Sequence, residues 1–391
     1  MGVTQRFEIV IASGQTVFYA GQTIQGQLCV ELAKDMKVKG ISISCVSEAR
    51  VFWRRGKQRY RFYEGYQDAK FTVYGDPRRG GEEVIISAGS HMFPFQFLLP
   101  VDLPGSFEGT PGSFVRHWLK AVIDRPWKSN KEYKLMYNVV SILDLNTLPE
   151  AELPFQTSAS KKSICFGCFT DGEVSATFKV DKKGYVPGES IAIYGEVTDN
   201  ANVGINCVFV ILIRTTTYIA GSLRRSFDVC VGGLKHSDIE TGGSDIWNGD
   251  KLHIPPVPPS FLPGCNIIDI QYFVKIEVNL PVVFTNIHLS IPVIIGTVPL
   301  HSTVQQSLAL REQDHQHGHP PVTHQPQAIT SSPLTPTAPW TSRDATSSNE
   351  MPLPTYEECM FGKVDTTDES EQYTAGNLKF APSYTYYKNL S

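Results

Sequence analysis

Apolar and polar side chains alternate with a period of two through most of the first 300 residues, and nothing else in the chain restricts its fold so strongly. Ile41, Ile43, Cys45, Ala49, Val51 and Trp53 form one series, with Ser42, Ser44, Glu48 and Arg50 between them. Phe93, Phe95, Phe97 and Leu99 alternate with Pro94, Gln96, Leu98 and Pro100. The clearest series runs through Ile268, Ile270, Tyr272, Val274, Ile276, Val278 and Leu280, with Asp269, Gln271, Lys275, Glu277 and Asn279 on the opposite face. This is the pattern of antiparallel strands with one wet face. Glycine and proline recur at strand spacing, and no helix-length amphipathic stretch interrupts them. The expected class is all-β. At 391 residues, 41% of them hydrophobic, the chain is too long for one ordinary core and apolar enough for two.

An internal repeat supports two related domains. Tyr19-Ala20-Gly21-Gln22-Thr23-Ile24, followed by Gly26-Gln27-Leu28, is echoed by Tyr185-Val186-Pro187-Gly188-Glu189-Ser190-Ile191 and Gly195-Glu196-Val197. Leu103-Pro104-Gly105 leads to Trp118–Val122 as Leu262-Pro263-Gly264 leads to Phe273–Glu277. The expected layout is a sandwich over 1–150, a polar linker over 151–163 and a second sandwich over 164–301. From 302 to 391 Gln, His, Ser, Thr and Pro dominate through Glu350. Such a tail buries too little apolar surface to offset its ordering entropy and is expected to be disordered.

The formal net charge of −4 excludes a general nucleic-acid footprint, though not a local basic patch. No apolar run approaches the roughly 18 residues that span a bilayer. The N-terminus carries no signal-peptide core, and Arg6 stands where a myristoylation signal wants Ser or Thr. The eight cysteines are scattered rather than packed into a disulfide framework. Asn389-Leu390-Ser391 matches a glycosylation triplet and is read as chance. These features suit a cytosolic protein with reduced thiols. No catalytic signature is present: no GxSxG elbow, HExxH, phosphate loop or GxGxxG, so no enzyme and no cofactor is expected.

Specific stretches carry a family resemblance. "HMFPFQFLLPVDLPGSFEG" (91–109), Val115-Arg116 and "DRPW" (124–127) stand in the first half. "DGEVSA", "KGYVPGESI", "WNGDKLHIPPVPPSFLPGC" (247–265) and "IPVIIGTVPLH" (ending at His301) stand in the second. In this order they resemble the alpha-arrestins, the arrestin domain-containing proteins. The resemblance implies two arrestin-type, immunoglobulin-like β-sandwiches. It also implies a non-catalytic adaptor, recruited from the cytoplasm to the plasma membrane and endosomes, that links the cytosolic tails of membrane cargo to HECT-type ubiquitin ligases.

The tail offers the means. Proline favours the extended polyproline II form that docks in WW-domain grooves, and a tyrosine three positions after the first motif residue lies on the same side of that three-fold helix. Family members bind ligases through PPxY or LPxY segments. Leu353-Pro354-Thr355-Tyr356 fits LPxY, and Ala381-Pro382-Ser383-Tyr384 is a weaker second copy with Ala381 in place of the first apolar residue. Together they could engage tandem WW domains, on a flexible linker reaching roughly 40 Å.

Other constellations carry alternatives. Arg54, Arg55, Lys57, Arg59 and Arg61 crowd around Gly56 in what reads as a hairpin tip, suited to phosphorylated cargo tails or anionic lipid headgroups, or merely a solvated end. Cys165-Phe166-Gly167-Cys168 is a lone CxxC without a second ligand pair, so no metal site is expected. Since one family member forms a mixed disulfide with thioredoxin, a redox regulator is one alternative function. A structural sorting subunit of an endosomal coat is another. His315, His317, His319 and His324 are read as low-complexity drift. His91 and Trp118 are read as packing residues.

Overall fold

The structure, a computed structural model, describes residues 3–75, 82–162, 172–281, 285–316, 354–360, 362–367, 374–388 and 390. The first domain runs β1 (Thr4–Ile11), β2 (Val17–Tyr19), β3 (Thr23–Leu32), β4 (Met36–Val38), β5 (Gly40–Arg55) and β6 (Gln58–Tyr74). It continues through β7 (Val84–Ile86), β8 (Gly89–Leu98), β9 (Phe107–Glu108), β10 (Phe114–Asp124) and β11 (Lys131–Val140). A sheet ordered β1-β3-β8 faces one ordered β2-β11-β10-β5-β6. The alternating residues meet between them: Ile41, Ile43 and Cys45 of β5 pack with Leu119 and Ile123 of β10 and Phe95 and Phe97 of β8.

The second domain runs β12 (Phe155–Lys162), β13 (Glu173–Val180), β14 (Gly184–Tyr185), β15 (Ser190–Asp199), β16 (Cys207–Ala220), β17 (Leu223–His236), β18 (Ser244–His253), β19 (Ile268–Asn279) and β20 (Ile287–Ile295). Its sheets are ordered β12-β13-β15-β18 and β14-β20-β19-β16-β17. The repeat is visible in the pairing. β2 joins β11 in parallel and β14 joins β20 in parallel, each followed by a turn with a left-handed glycine, Gly21 at φ 83° and Gly188 at φ 99°. In each turn a side chain accepts a backbone N–H: Gln22 from Tyr19 at 2.9 Å and Glu189 from Val186 at 2.7 Å.

One expectation is corrected. Residues 151–163, expected as a linker, supply β12, which pairs along its whole length with β13. Phe155, Thr157 and Ala159 alternate weakly on a half-buried edge, too polar a pattern to read as a strand. Within the region from 302 onward, expected to be a disordered tail, the described residues include short segments of regular structure. α1 (His301–Gln316) follows the second sandwich, and five short strands follow: β21 (Thr355–Glu358), β22 (Val364–Asp365), β23 (Thr374–Asn377), β24 (Lys379–Phe380) and β25 (Ser383–Tyr386). Val304 is buried and Leu308 half-buried one turn later on the second domain, which anchors α1.

The sandwiches share a core at their junction. Ala49, Val51 and Trp53 at the far end of β5, with Phe107 and Val115, belong to the same apolar cluster as Leu212, Tyr218 and Ile270 of the second domain. Polar ties cross the same boundary. The Thr110 N–H donates to the Tyr218 hydroxyl at 2.8 Å, and the backbone N–H of Asn266 donates to the Glu64 carboxylate at 3.0 Å. Gly109 is required by closeness: a Cβ there would lie 2.1 Å from the Tyr218 oxygen.

Candidate functional site

The two proline-tyrosine segments, remote in sequence, lie side by side. β21 pairs antiparallel with β25, so that Glu357 faces Tyr384 and Tyr356 faces Thr385. Cys359 N–H donates to the Pro382 carbonyl at 2.8 Å and Thr355 Oγ1 to the Tyr386 carbonyl at 3.1 Å. This hairpin then docks on both sandwiches. β23 adds in parallel to β11, filling the stretch of edge that β2 leaves open. Only glycine fits at 376: its φ is 127°, and a Cβ would lie 2.0 Å from the Lys134 carbonyl. The Ser383 N–H donates to Asn138 Oδ1 at 2.9 Å. On the second domain the Tyr387 N–H donates to the Pro187 carbonyl at 3.0 Å, and its hydroxyl donates to the Thr297 carbonyl at 2.8 Å.

Burial grades along this tail. Tyr387 is 1% exposed, in a cluster with Leu145, Val186, Leu300 and Leu390. Tyr384 is 5% exposed and its hydroxyl has no hydrogen-bond partner. Burial holds its phenol far above the ordinary range. Pro354 and Pro382 are buried, whereas Tyr356 is half-buried. The Tyr356 ring meets Tyr19 edge-on, centroids 6.3 Å apart, and their hydroxyls touch. Burial pushes the Tyr356 phenol up, with the Tyr19 hydroxyl pulling the other way. Leu353 lies outside the described residues. Tyr356 is thus placed in a β-strand, not in the polyproline II form that a WW groove takes.

Residues 7–146 match the sequence profile of the arrestin (or S-antigen) N-terminal domain, and residues 170–300 that of its C-terminal domain. Arrestin domain-containing protein 17 of Caenorhabditis elegans is 27% identical, over 98% of both chains. Arrestin domain-containing protein 4 of Mus musculus is 30% identical, over 72% of this chain and 69% of its own. The chain belongs to the alpha-arrestins, the arrestin domain-containing proteins. Thioredoxin-interacting protein of Mus musculus is another relative, 29% identical over 78% of this chain and 77% of its own. Alpha-arrestins are adaptors rather than catalysts as a family. No helix of the described residues is long and apolar enough to cross a membrane.

The basic cluster of this alpha-arrestin is split by its own hairpin. Arg54, Arg59 and Arg61 share a face with Phe52, since Arg54 pairs with Arg59 and Phe52 with Arg61. The guanidinium groups of Arg54 and Arg61 each stand 5.7 Å from the Phe52 ring centre. Arg55 shares the other face with Trp53, whose ring stacks on Tyr60 at 5.5 Å. Sequence reading missed the second half of this region. Arg224 and Arg225, at the β16–β17 tip, meet Arg54 and Arg55 across the domain junction. Only the third dimension brings those positions together.

Among the described residues no group of His, Cys, Asp and Glu could hold a metal. Cys165, Cys168, His317, His319 and His324 lie outside the described residues, as do the side chain of His315 and residues Asn389 and Ser391. His91 lies on β8 with Nε2 2.9 Å from the Ser87 carbonyl, and Trp118 on β10 lies under the Lys134 ammonium at 4.4 Å.

Proposed function

We propose that this alpha-arrestin carries membrane cargo to a HECT-type ubiquitin ligase and that the docked tail is its closed form. The sandwiches would hold the cytosolic tail of a receptor or transporter. Leu353, Pro354 and Tyr356 would fill the WW groove, so that cargo is ubiquitinated and taken from the plasma membrane to endosomes. The observation that carries this reading is the grading of the tail. Its anchors are the buried Tyr384 and Tyr387, while Tyr356 is half-buried against Tyr19 at the margin of the first sandwich. A segment so held can leave its sandwich by local opening at a fraction of the global unfolding energy. The second motif, Pro382 and Tyr384, is an anchor of the closed form first and a ligase ligand only after full release.

The apparent Kd of the whole protein for a WW domain is then that of the free motif divided by the open fraction. Titrating a tandem WW fragment into the full chain and into a free peptide spanning the Leu353 motif tests this. The peptide should bind more tightly, and Tyr356→Ala should abolish binding to both. Equal WW binding by wild type and Tyr356→Ala would refute the reading. Thioredoxin capture has less support. A reactive thiol must ionise; burial pushes Cys45 up to about 11 and also raises Cys265, which leaves the exposed Cys230 as the candidate thiol for that alternative among the described residues.

A further inference from the structure

The tips of β5–β6 and β16–β17 come from different domains and stand together at the junction. They enclose a concavity of about 470 Å³ lined by Arg54, Arg55, Tyr60, Leu223, Arg224 and Arg225, with no carboxylate in the lining. We infer that this concavity binds the clustered phosphates of an inositol-lipid headgroup at a membrane surface.

Four like charges gathered around one hollow repel one another unless an anion answers them. All four arginines are exposed, and the Asp269 carboxylate answers Arg224 in part. Their heads are nonetheless oriented. Arg225 lies over Phe227 at 4.8 Å, and Arg54 over Phe52. The Arg225 Nη1 donates to the Arg54 carbonyl at 2.6 Å, which ties the two tips across the junction. A guanidinium has five N–H donors, so the remaining edges stay free for phosphate oxygens, which they match two at a time.

The shape favours a lipid over an extended phosphopeptide. The hollow is short and lies partly open between two tips. An acidic chain continuing along β17 would meet Asp228, already paired with Lys275 at 2.6 Å. The tips also project. Gly56 and Gly221 adopt left-handed turns at φ 59° and 63°, and nothing lies within 4 Å of where their side chains would be. Leu223, 45% exposed, stands beside the arginines. An apolar residue flanked by cations on a projecting loop suits the boundary between headgroups and acyl chains.

Co-sedimentation of the full chain with phosphatidylcholine vesicles containing phosphatidylinositol bisphosphate tests the site. Vesicles of equal charge made with phosphatidylserine, and soluble inositol trisphosphate, serve as the other arms. Bisphosphate vesicles should bind best. Arg54→Glu with Arg55→Glu, or Arg224→Glu with Arg225→Glu, should each weaken that binding about tenfold or more. Lys34→Glu with Lys128→Glu, the same charge change elsewhere, should leave it within about twofold. The corresponding Arg→Gln pairs, which keep side-chain bulk at the tips, should show a smaller loss in the same order. Unchanged binding by either arginine pair overturns the proposal. So does equal binding to phosphatidylserine, which would mean diffuse attraction. Arginine-dependent binding of soluble inositol trisphosphate or of a phosphopeptide, without vesicle binding, also overturns it.

Discussion

Replacing Tyr387 with Ala should open the tail without touching the motif it covers. Tyr387 lies 31 positions beyond Tyr356, is 1% exposed and donates its hydroxyl to Thr297 at 2.8 Å. Removing a buried aromatic ring typically costs about 3–5 kcal/mol, and the hydroxyl bond supplies about 1 kcal/mol of it. The ring touches the second domain only when the tail is docked, so the loss falls on the closed form. At about 1.4 kcal/mol per decade, a change of about 3 kcal/mol shifts the docking equilibrium roughly a hundredfold. Calorimetric titration with a tandem WW fragment should show the variant approaching the affinity of the free peptide, which is its ceiling. Tyr387→Phe, losing only the hydroxyl bond, should shift docking about fivefold. Hydrogen exchange should show lost protection at Ser383 and Cys359 while β10 and β19 stay protected. Were Tyr387→Ala to bind WW domains no better than wild type, with wild type already weaker than the peptide, the closed-form argument would be wrong.

Three further outcomes follow from the same geometry. Gly376→Ala should strip exchange protection from β23 and raise WW affinity, since its Cβ would strike the Lys134 carbonyl at 2.0 Å. Gly109→Ala should destabilise the domain junction by about 1–3 kcal/mol, read as a lower thermal midpoint, because the added carbon meets Tyr218. Buried His117 is pulled by burial, against a weaker upward pull from the Pro104 backbone, from its ordinary 6.5 down to about 3. The unfolded chain therefore takes up the proton first: stability from this site is intact above pH about 6.5 and falls as pH drops toward about 3. His117→Leu should flatten that part of the acid limb in denaturant titrations, and an unchanged limb would contradict the assignment.

The sandwiches were legible because a half-buried strand writes its environment into local alternation. β19 shows this, with Ile268 to Val278 inward and Asp269 to Asn279 outward. β12 was not, because Phe155, Thr157 and Ala159 lie on a shallow edge whose partner, β13, is needed to make a strand of them. The short ordered segments of the tail were not legible for a related reason. Cys359, Phe380, Tyr384, Tyr387 and Leu390 are all buried, yet their spacing follows no period. β22 and β24 pair with each other, and the rest of the ordered tail borrows edges and clefts built far upstream, at Tyr19, Lys134, Asn138, Pro187 or Thr297. The one local hint was Gly376, a glycine where a strand admits no side chain.

The order of residues alone determined two all-β bodies and the chemistry of the tail motif, because strand periodicity and the proline-tyrosine spacing are short-range properties. Whether Tyr356 stands free or covered, and which arginines share one hollow, was decided only in three dimensions. Both depend on surfaces from residues hundreds of positions apart, and pairing at a sheet edge or at a domain junction leaves no periodic trace in either partner.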